Sequence, residues 1–472
     1  MQKNRIYQFL YLAIFLISCG LRLALVAFNR EANDPHEQVA KLILQSNQLP
    51  LKNDCWECFQ PKLYHYVFAK TLQVLQLENN PGYQQNLVGE AINFFAGIMC
   101  LVVVGLFVKN APFKEERLKL LAFGLVALNP ALIGISSQAT NDSFVILFSS
   151  LALYFTYKYF RQQKLTLLIP ILVFVLLGIS SKTNGWVTVI AISMAFLIKA
   201  WVENERRTHH LLLAIGFPIV VILLSILNPL NQYIVNYKQF GSPILVNIDQ
   251  KPLPPFLGMT PAGQSGIWYI QDGFFTFKFV DLIQHPRIEY PPRNIPPFQG
   301  SFWTLIYGRA NSVFFDNSVP SWSTSGTALF PLAQGIFILA LLPTLLLSIG
   351  TALETYWMLK SVIKRDPVSA GKTSFGLFVI AFLGYVFFEI LYTLEYRSLT
   401  VIKPIFIYPA LLSFPWLFLR IGDKLSAYLT KGKRWLIYLF EGACAVLFIL
   451  YITDVSTLIV QLGRVYLQKH GL

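Results

Sequence analysis

Asp34 stands just after the first apolar run of the chain, in Phe28-Asn29-Arg30-Glu31-Ala32-Asn33-Asp34-Pro35-His36-Glu37. A carboxylate there can take a proton from an attacking hydroxyl or amine. Four other groups carry side chains able to join it. They are Glu57 with Gln60-Pro61-Lys62-Leu63-Tyr64-His65, then Ala139-Thr140-Asn141-Asp142, then Ser181-Lys182-Thr183-Asn184, and last Glu395-Tyr396-Arg397 followed by Lys403, Pro404 and Tyr408. Arg offers a two-pronged fork and Lys a point charge, and both hold phosphate groups.

Each residue also has a plainer reading. Asp34 could be a cap or a solvated loop residue. Asp142 follows Asn141 at a helix start, where a carboxylate favours the helix dipole. Lys182 could snorkel to an interface. Arg397 and Lys403 could meet lipid headgroups without selectivity. His36 and His65 could be ordinary interfacial residues. Arg22, late in the first run, could reach the outer interface or touch a phosphate. Glu354 and Glu389 lie in or near apolar runs and could be buried and paired; no role is assigned to them.

The elements that must position these groups are membrane helices. The 472 residues are 55% hydrophobic, 15% aromatic and only 13% charged, with mean hydropathy +0.53. Apolar runs of roughly 18 to 25 residues match the ~30 Å of hydrocarbon that a helix must cross. Hydrocarbon leaves the backbone no outside partner, so helices are the default. Eleven spans are expected, at about 6–28, 86–108, 118–136, 143–160, 165–180, 185–201, 211–229, 331–358, 374–394, 402–419 and 434–459. The first is too long for a cleaved leader, and no small-residue cleavage site follows it. The fold class is thus an all-α polytopic membrane protein, read as a single integral membrane domain over 1–472.

The net charge of +14 follows topology. Basic residues crowd alternate loops: Lys109 to Lys119, Lys158 to Lys164, Lys199 to Arg207, Lys360 to Lys372 and Arg420 to Arg434. That is the positive-inside pattern, with Lys3 and Arg5 also inside. Nucleic acid is not an expected partner. The orientation puts two large loops outside, about 29–85 and 230–330.

The first outer loop holds two amphipathic stretches, with apolar positions Val39, Ala40, Ile43 and Leu44, then Leu63, Val67, Phe68, Leu72 and Leu75. Such helices would lie on the membrane surface and roof a cavity. Between them is Cys55-Trp56-Glu57-Cys58. A disulfide or structural thiols is one reading; a zinc pair completed by His36 or His65 is the other. The second loop is dense in Pro, Gly and aromatic residues, from Pro252 to Trp303. It fits an aromatic belt or an acceptor-binding cover. No internal repeat is apparent, which weighs against a transporter.

The ordered set of motifs resembles the GT-C class of membrane glycosyltransferases, and within it the phospholipid carrier-dependent enzymes of the protein O-mannosyltransferase and aminoarabinose-transferase type. The matching residues are the acidic site after span one, Gln60-Pro61-Lys62-Leu63-Tyr64, Thr140-Asn141-Asp142 opening a span, and Arg397 with Lys403-Pro404 before a late span. Phe240-Gly241-Ser242-Pro243 and Ser301-Phe302-Trp303 are similar to motifs of related bacterial membrane proteins. Where family members often show an acidic pair, this chain has Asn33-Asp34-Pro35, with Glu37 the next carboxylate.

The resemblance implies a polyprenyl-phosphate sugar donor, an inverting displacement and an acceptor that is protein, glycolipid or polysaccharide. Asp34 is then the base. Lys403, Arg397 and Lys182 hold the donor phosphate, with Arg309 a weaker candidate. Glu37, Gln60, Lys62, Tyr64, His65 and Arg309 are expected to touch acceptor or substrate. A divalent metal at Asp34, Glu37, Asp142 or His36 is allowed but not required. The expected location is a bacterial plasma membrane, active on its outer face. A lipid-linked sugar flippase or a non-catalytic scaffold is the alternative; neither needs a carboxylate base.

Overall fold

The computed structural model describes residues 2–29, 34–245, 273–286, 288, 301–313, 329–396, 401–429 and 434–469. These residues form helices and turns, with no strand among them. In chain order the helices are α1 (Gln2–Phe28), α2 (His36–Ser46), α3 (Leu63–Val74), α4 (Gly82–Asn110), α5 (Glu116–Ala127), α6 (Pro130–Ile135), α7 (Asp142–Gln162), α8 (Leu168–Ser181) and α9 (Trp186–Val202). There follow α10 (Arg207–Leu227), α11 (Tyr233–Phe240), α12 (Phe279–Gln284), α13 (Phe302–Ala310), α14 (Phe330–Lys364), α15 (Pro367–Lys372), α16 (Leu377–Tyr396), α17 (Ser413–Leu429) and α18 (Arg434–Lys469).

Eight helices among the described residues are long and apolar enough to cross a membrane. They coincide with eight of the eleven expected spans. The chain is an integral membrane protein built of helices. The remaining three expected spans are shorter or broken. The 165–180 run gives one shorter apolar helix, Leu165–Ser181. The 118–136 run splits at Asn129-Pro130, because Pro130 has no N–H to give the preceding turn. Asn129 caps the new helix, its side chain accepting from Leu132 N at 3.0 Å. The 402–419 run enters through two short turns, Pro404–Phe406 and Tyr408–Ala410, and becomes α-helical only at Ser413.

Arg22 explains how the first break is tolerated. It does not reach an interface; it is 2% exposed. Its guanidinium donates to the Ala127 carbonyl at 3.1 Å and to Ser136 Oγ at 2.8 Å. Ser18 Oγ donates to the same carbonyl. The break frees Ala127's carbonyl from its helical partner, and two side chains of α1 satisfy it.

Helix α7 lies among α4, α8, α9 and α16, and it is mostly buried. It is therefore the element that fixes one end of the bundle relative to the other. Near its far end Phe107, Tyr157, Phe378 and Trp416 pack ring against ring. Glu354 is buried there and paired, accepting from Trp416 Nε1 at 2.8 Å and facing Arg420 Nε at 2.8 Å. Helices α2 and α3 pack on each other, and α3 seats on α4 and α8. Val39, Ala40, Ile43, Phe68 and Leu72 are the buried side of this pair, as their spacing predicts. Of the second large loop, α11, α12 and α13 are described, while 246–272, 287, 289–300 and 314–328 lie outside the described residues.

Candidate active site

The N-terminal end of α7 gathers the Gln60, Thr140–Asp142 and Ser181–Lys182 motifs. Asn141 Nδ2 donates to Gln60 Oε1 in the first loop and to the Ser181 carbonyl at the end of α8, the latter at 3.1 Å. Asp142 Oδ2 accepts from Thr140 Oγ1 at 2.7 Å, and Asp142 Oδ1 lies 2.6 Å from Lys182 Nζ. A carboxylate at a helix N-terminus is favoured by the dipole, and the ammonium makes the bond charge-assisted. Lys182 sits in extended backbone between α8 and α9, which frees its side chain from either helix surface. The same ammonium stands 4.9 Å from the Phe406 ring centre, a cation–π distance. Lys182 thus bridges α7 and the 404–406 turn.

Lys403 immediately precedes that turn and is partly exposed. Its backbone N–H donates to Glu389 Oε1 at 2.9 Å. Glu389 is fully buried, and the charges of Lys403, Arg309 and Lys182 all act on it. Arg309 donates to the Ile288 carbonyl at 3.0 Å and to the Ile402 carbonyl at 2.7 Å. At 1% exposure it ties α13 to the residue before Lys403. Arg397 lies outside the described residues.

Asp34 is partly exposed, and its carbonyl accepts from His36 N at 2.7 Å. Its charge reaches both His36 and Glu57. Glu57 is 2% exposed. Burial first, and Asp34's negative charge second, push its carboxyl up to about 8, against the pull of Lys182, Gln60 and Lys403. One of its oxygens accepts from Gln60 Nε2. A disulfide between Cys55 and Cys58 closes the short loop that carries it. That bond removes the zinc-pair reading, since both thiols are consumed.

Four residues expected to touch substrate are turned inward. Lys62, 1% exposed, donates to the Cys58 carbonyl and to the Gln60 carbonyl, the latter at 2.6 Å. Burial brings its ammonium down to about 7. Tyr64 donates to the Gly89 carbonyl at 3.3 Å. His65 Nε2 meets His36 Nδ1 at 2.9 Å, and the two rings stack. Burial lowers His36 to about 4 and His65 well below the usual range, so both are neutral. Arg309 is the fourth. Glu37 is partly exposed, with one carboxylate oxygen buried and unbonded among the described residues.

The described His, Cys, Asp and Glu side chains include no group of three placed to hold a metal ion. Of the candidates, Asp142 is engaged by Lys182 and Thr140, and His36 by His65. Glu57 and Glu389 were the residues least visible from sequence. Glu57 shared a cluster with Gln60, but only loop closure buries it. Glu389 carried the better signal, an ionisable residue inside an apolar run.

Against the 404–410 turns lies an apolar cavity of about 450 Å³. Pro404, Ile407, Tyr408, Leu411, Tyr307 and Leu132 are among its walls. The arrangement therefore offers a partly exposed carboxylate, a buried carboxyl whose proton affinity is raised, and two lysines, one of them next to the Pro404 wall of the apolar cavity.

Residues 66–239 match the family model of dolichyl-phosphate-mannose-protein mannosyltransferase. No curated protein matches the chain. Among solved structures, the oligosaccharyltransferase AglB from Archaeoglobus fulgidus, in complex with an inhibitory peptide and a dolichol-phosphate, is similar at 12% identity, 95% of this chain, 56% of that chain and TM-score 0.48. The Archaeoglobus fulgidus oligosaccharyltransferase complex with Zn and sulfate gives 13%, 95%, 53% and 0.49. ArnT from Cupriavidus metallidurans bound to undecaprenyl phosphate gives 14%, 90%, 79% and 0.36. The chain spans about half the length of the archaeal proteins. The family match over residues 66–239 agrees with the resemblance to the protein O-mannosyltransferase type of membrane protein.

Proposed function

We propose that this chain moves a monosaccharide from a polyprenyl-phosphate donor to an acceptor on the outer face of a bacterial plasma membrane, with inversion. The observation that carries the reading is the meeting of Asp34, Glu57, Lys182 and Lys403 around one end of α7, beside the apolar cavity. In the proposed step Asp34 takes the proton of the acceptor hydroxyl or amine as that atom bonds to the sugar's anomeric carbon. The bond from that carbon to phosphate oxygen breaks, and its electron pair stays on the lipid phosphate. Lys182, Lys403 and Arg397 stabilise the charge that develops there. Cations in a water-poor site are worth more than in bulk. The lipid chain occupies the apolar cavity.

Gln60 and Glu37 are the proposed acceptor contacts. Lys62, Tyr64, His65 and Arg309 hold the walls. Glu57, protonated, donates toward the acceptor or the sugar and spares Asp34 a second negative neighbour.

The test is transfer of labelled sugar from polyprenyl-phosphate donors in proteoliposomes, wild type against Asp34→Asn. The amide keeps the size and removes the base. Transfer by the wild type and a loss of about a hundredfold or more in a folded variant supports the assignment. Equal transfer by both sinks Asp34 as the base. No transfer, with movement of lipid-linked sugar across the bilayer by both, replaces the reading with a flippase.

A further inference from the structure

The far end of the bundle holds a second cavity, with several cations in its lining. Helix α7 carries Asp142 at one end and Arg161 at the other, about 30 Å apart at 1.5 Å per residue. Helix α9 likewise runs from beside Lys182 to Lys199. At the Arg161 and Lys199 end is a cavity of about 540 Å³. Five cations line it, Arg161, Lys199, Lys372, Arg420 and Lys424, against two carboxylates, Glu203 and Asp423.

The inner wall is built. Lys199 is 1% exposed, bonds Glu203 at 2.7 Å and lies 4.2 Å from the centre of the Phe375 ring. Phe375 is held there by three successive left-handed residues, Ser374 at φ 48°, Phe375 at φ 54° and Gly376 at φ 78°. Two of these carry a Cβ, which the left-handed region penalises. Strain of this kind persists where the surroundings over-determine it, and it clusters at binding sites. Tyr157 and Trp416 continue the aromatic wall. Around it, Arg161 and Lys372 are exposed and form no ion pair among the described residues.

Charge that only sets orientation needs neither a concave surface nor a fixed floor. We infer that this cavity is a binding site for a phosphate-bearing ligand with an apolar or planar body, its phosphate held by Arg161 and Lys372 and its body set against Phe375, Tyr157 and Trp416. The volume suits a small ligand. An anionic phospholipid and a soluble nucleotide both have this chemistry. The site is independent of the transfer reaction proposed above.

The experiment uses the full chain in detergent without sugar donor. Retention of phosphatidic acid and of ADP is measured by native mass spectrometry, with phosphatidylcholine as the zwitterionic reference. The wild type is expected to retain one of the anionic probes above the reference, and which one identifies the source. Arg161→Gln with Lys372→Gln should weaken retention about tenfold, as expected for losing charge-assisted phosphate bonds. Lys109→Gln with Lys164→Gln removes the same charge at the same end but outside the cavity, and should leave retention unchanged. Equal loss in both pairs, or no retention above phosphatidylcholine, overturns the inference. Lys424→Gln supplies a second rim variant should the first pair not fold, with the same two readings.

Discussion

Lys182 Nζ lies 2.6 Å from Asp142 Oδ1, and both side chains are largely buried, at 13% and 6% exposure. The bond joins the start of α7 to the break between α8 and α9. A charge left alone in such a place is costly, more so than the intact pair is stabilising.

Asp142→Asn is therefore expected to destabilise the protein by about 3 kcal/mol, because it strands the Lys182 ammonium. Lys182→Met with Asp142→Asn should recover part of that loss while lowering sugar transfer further. A double-mutant cycle read by thermal unfolding in detergent checks the first statement, and a transfer assay the second. Additive losses would show that the pair is not coupled.

Glu57 should give stability a pH dependence of definite sign. Its folded carboxyl is raised from 4.5 to about 8. The folded state then holds a proton that the unfolded chain has released, so stability from this group is full below pH 4.5 and is lost as pH rises towards 8. Glu57→Gln should flatten the fall between pH 5 and 8. Lys62, lowered from 10.5 to about 7, acts in the opposite sense, adding stability as pH rises from 7 to 10.5. Unfolding midpoints of the wild type and Glu57→Gln at pH 6 and 8 decide the matter; parallel curves would contradict it.

Replacing Cys55 and Cys58 together by Ser should cost only about 2 kcal/mol of stability, since the closed loop is short. Transfer should fall much more, because Glu57 lies inside that loop and Gln60 just after it. Unfolding and activity measured on the same preparation separate the two effects. Unchanged transfer would detach the loop from the site.

Arg22→Met should destabilise by about 3 kcal/mol, leaving the Ala127 carbonyl and Ser136 short of a buried donor. Arg22→Lys restores one donor and should recover part of the loss. A silent Arg22→Met would mean that the α5–α6 break is satisfied otherwise.

Much of this architecture was legible because apolar runs that cross a membrane are long and leave a strong pattern. Runs such as 86–108 and 143–160 appear nearly where their residues place them. Pro130 was hidden by apolar residues on both sides, although Asn129 before it is a cap signal. The clusters around Asp34, Asn141 and Lys182 were visible as polar residues at span ends. The inward turn of Lys62, Tyr64, His65 and Arg309 was not, since their partners are mostly carbonyl oxygens, which any sequence supplies. Glu57 needed the Cys55–Cys58 bond and Glu389 the Lys403 backbone to acquire surroundings that matter.

The segment from Cys55 to Lys62 is fastened at several points: Cys55 to Cys58 by a disulfide, Gln60 by Asn141, and the Lys62 amide by the Leu230 carbonyl at 2.9 Å. It behaves as a lintel rather than a door. Traffic would then pass through the jamb, the 404–410 segment whose backbone Pro404 and Pro409 keep out of a regular helix. Product release should accordingly change with the bulk of Ile407, a side chain of the cavity wall, while leaving the lintel's bonds intact.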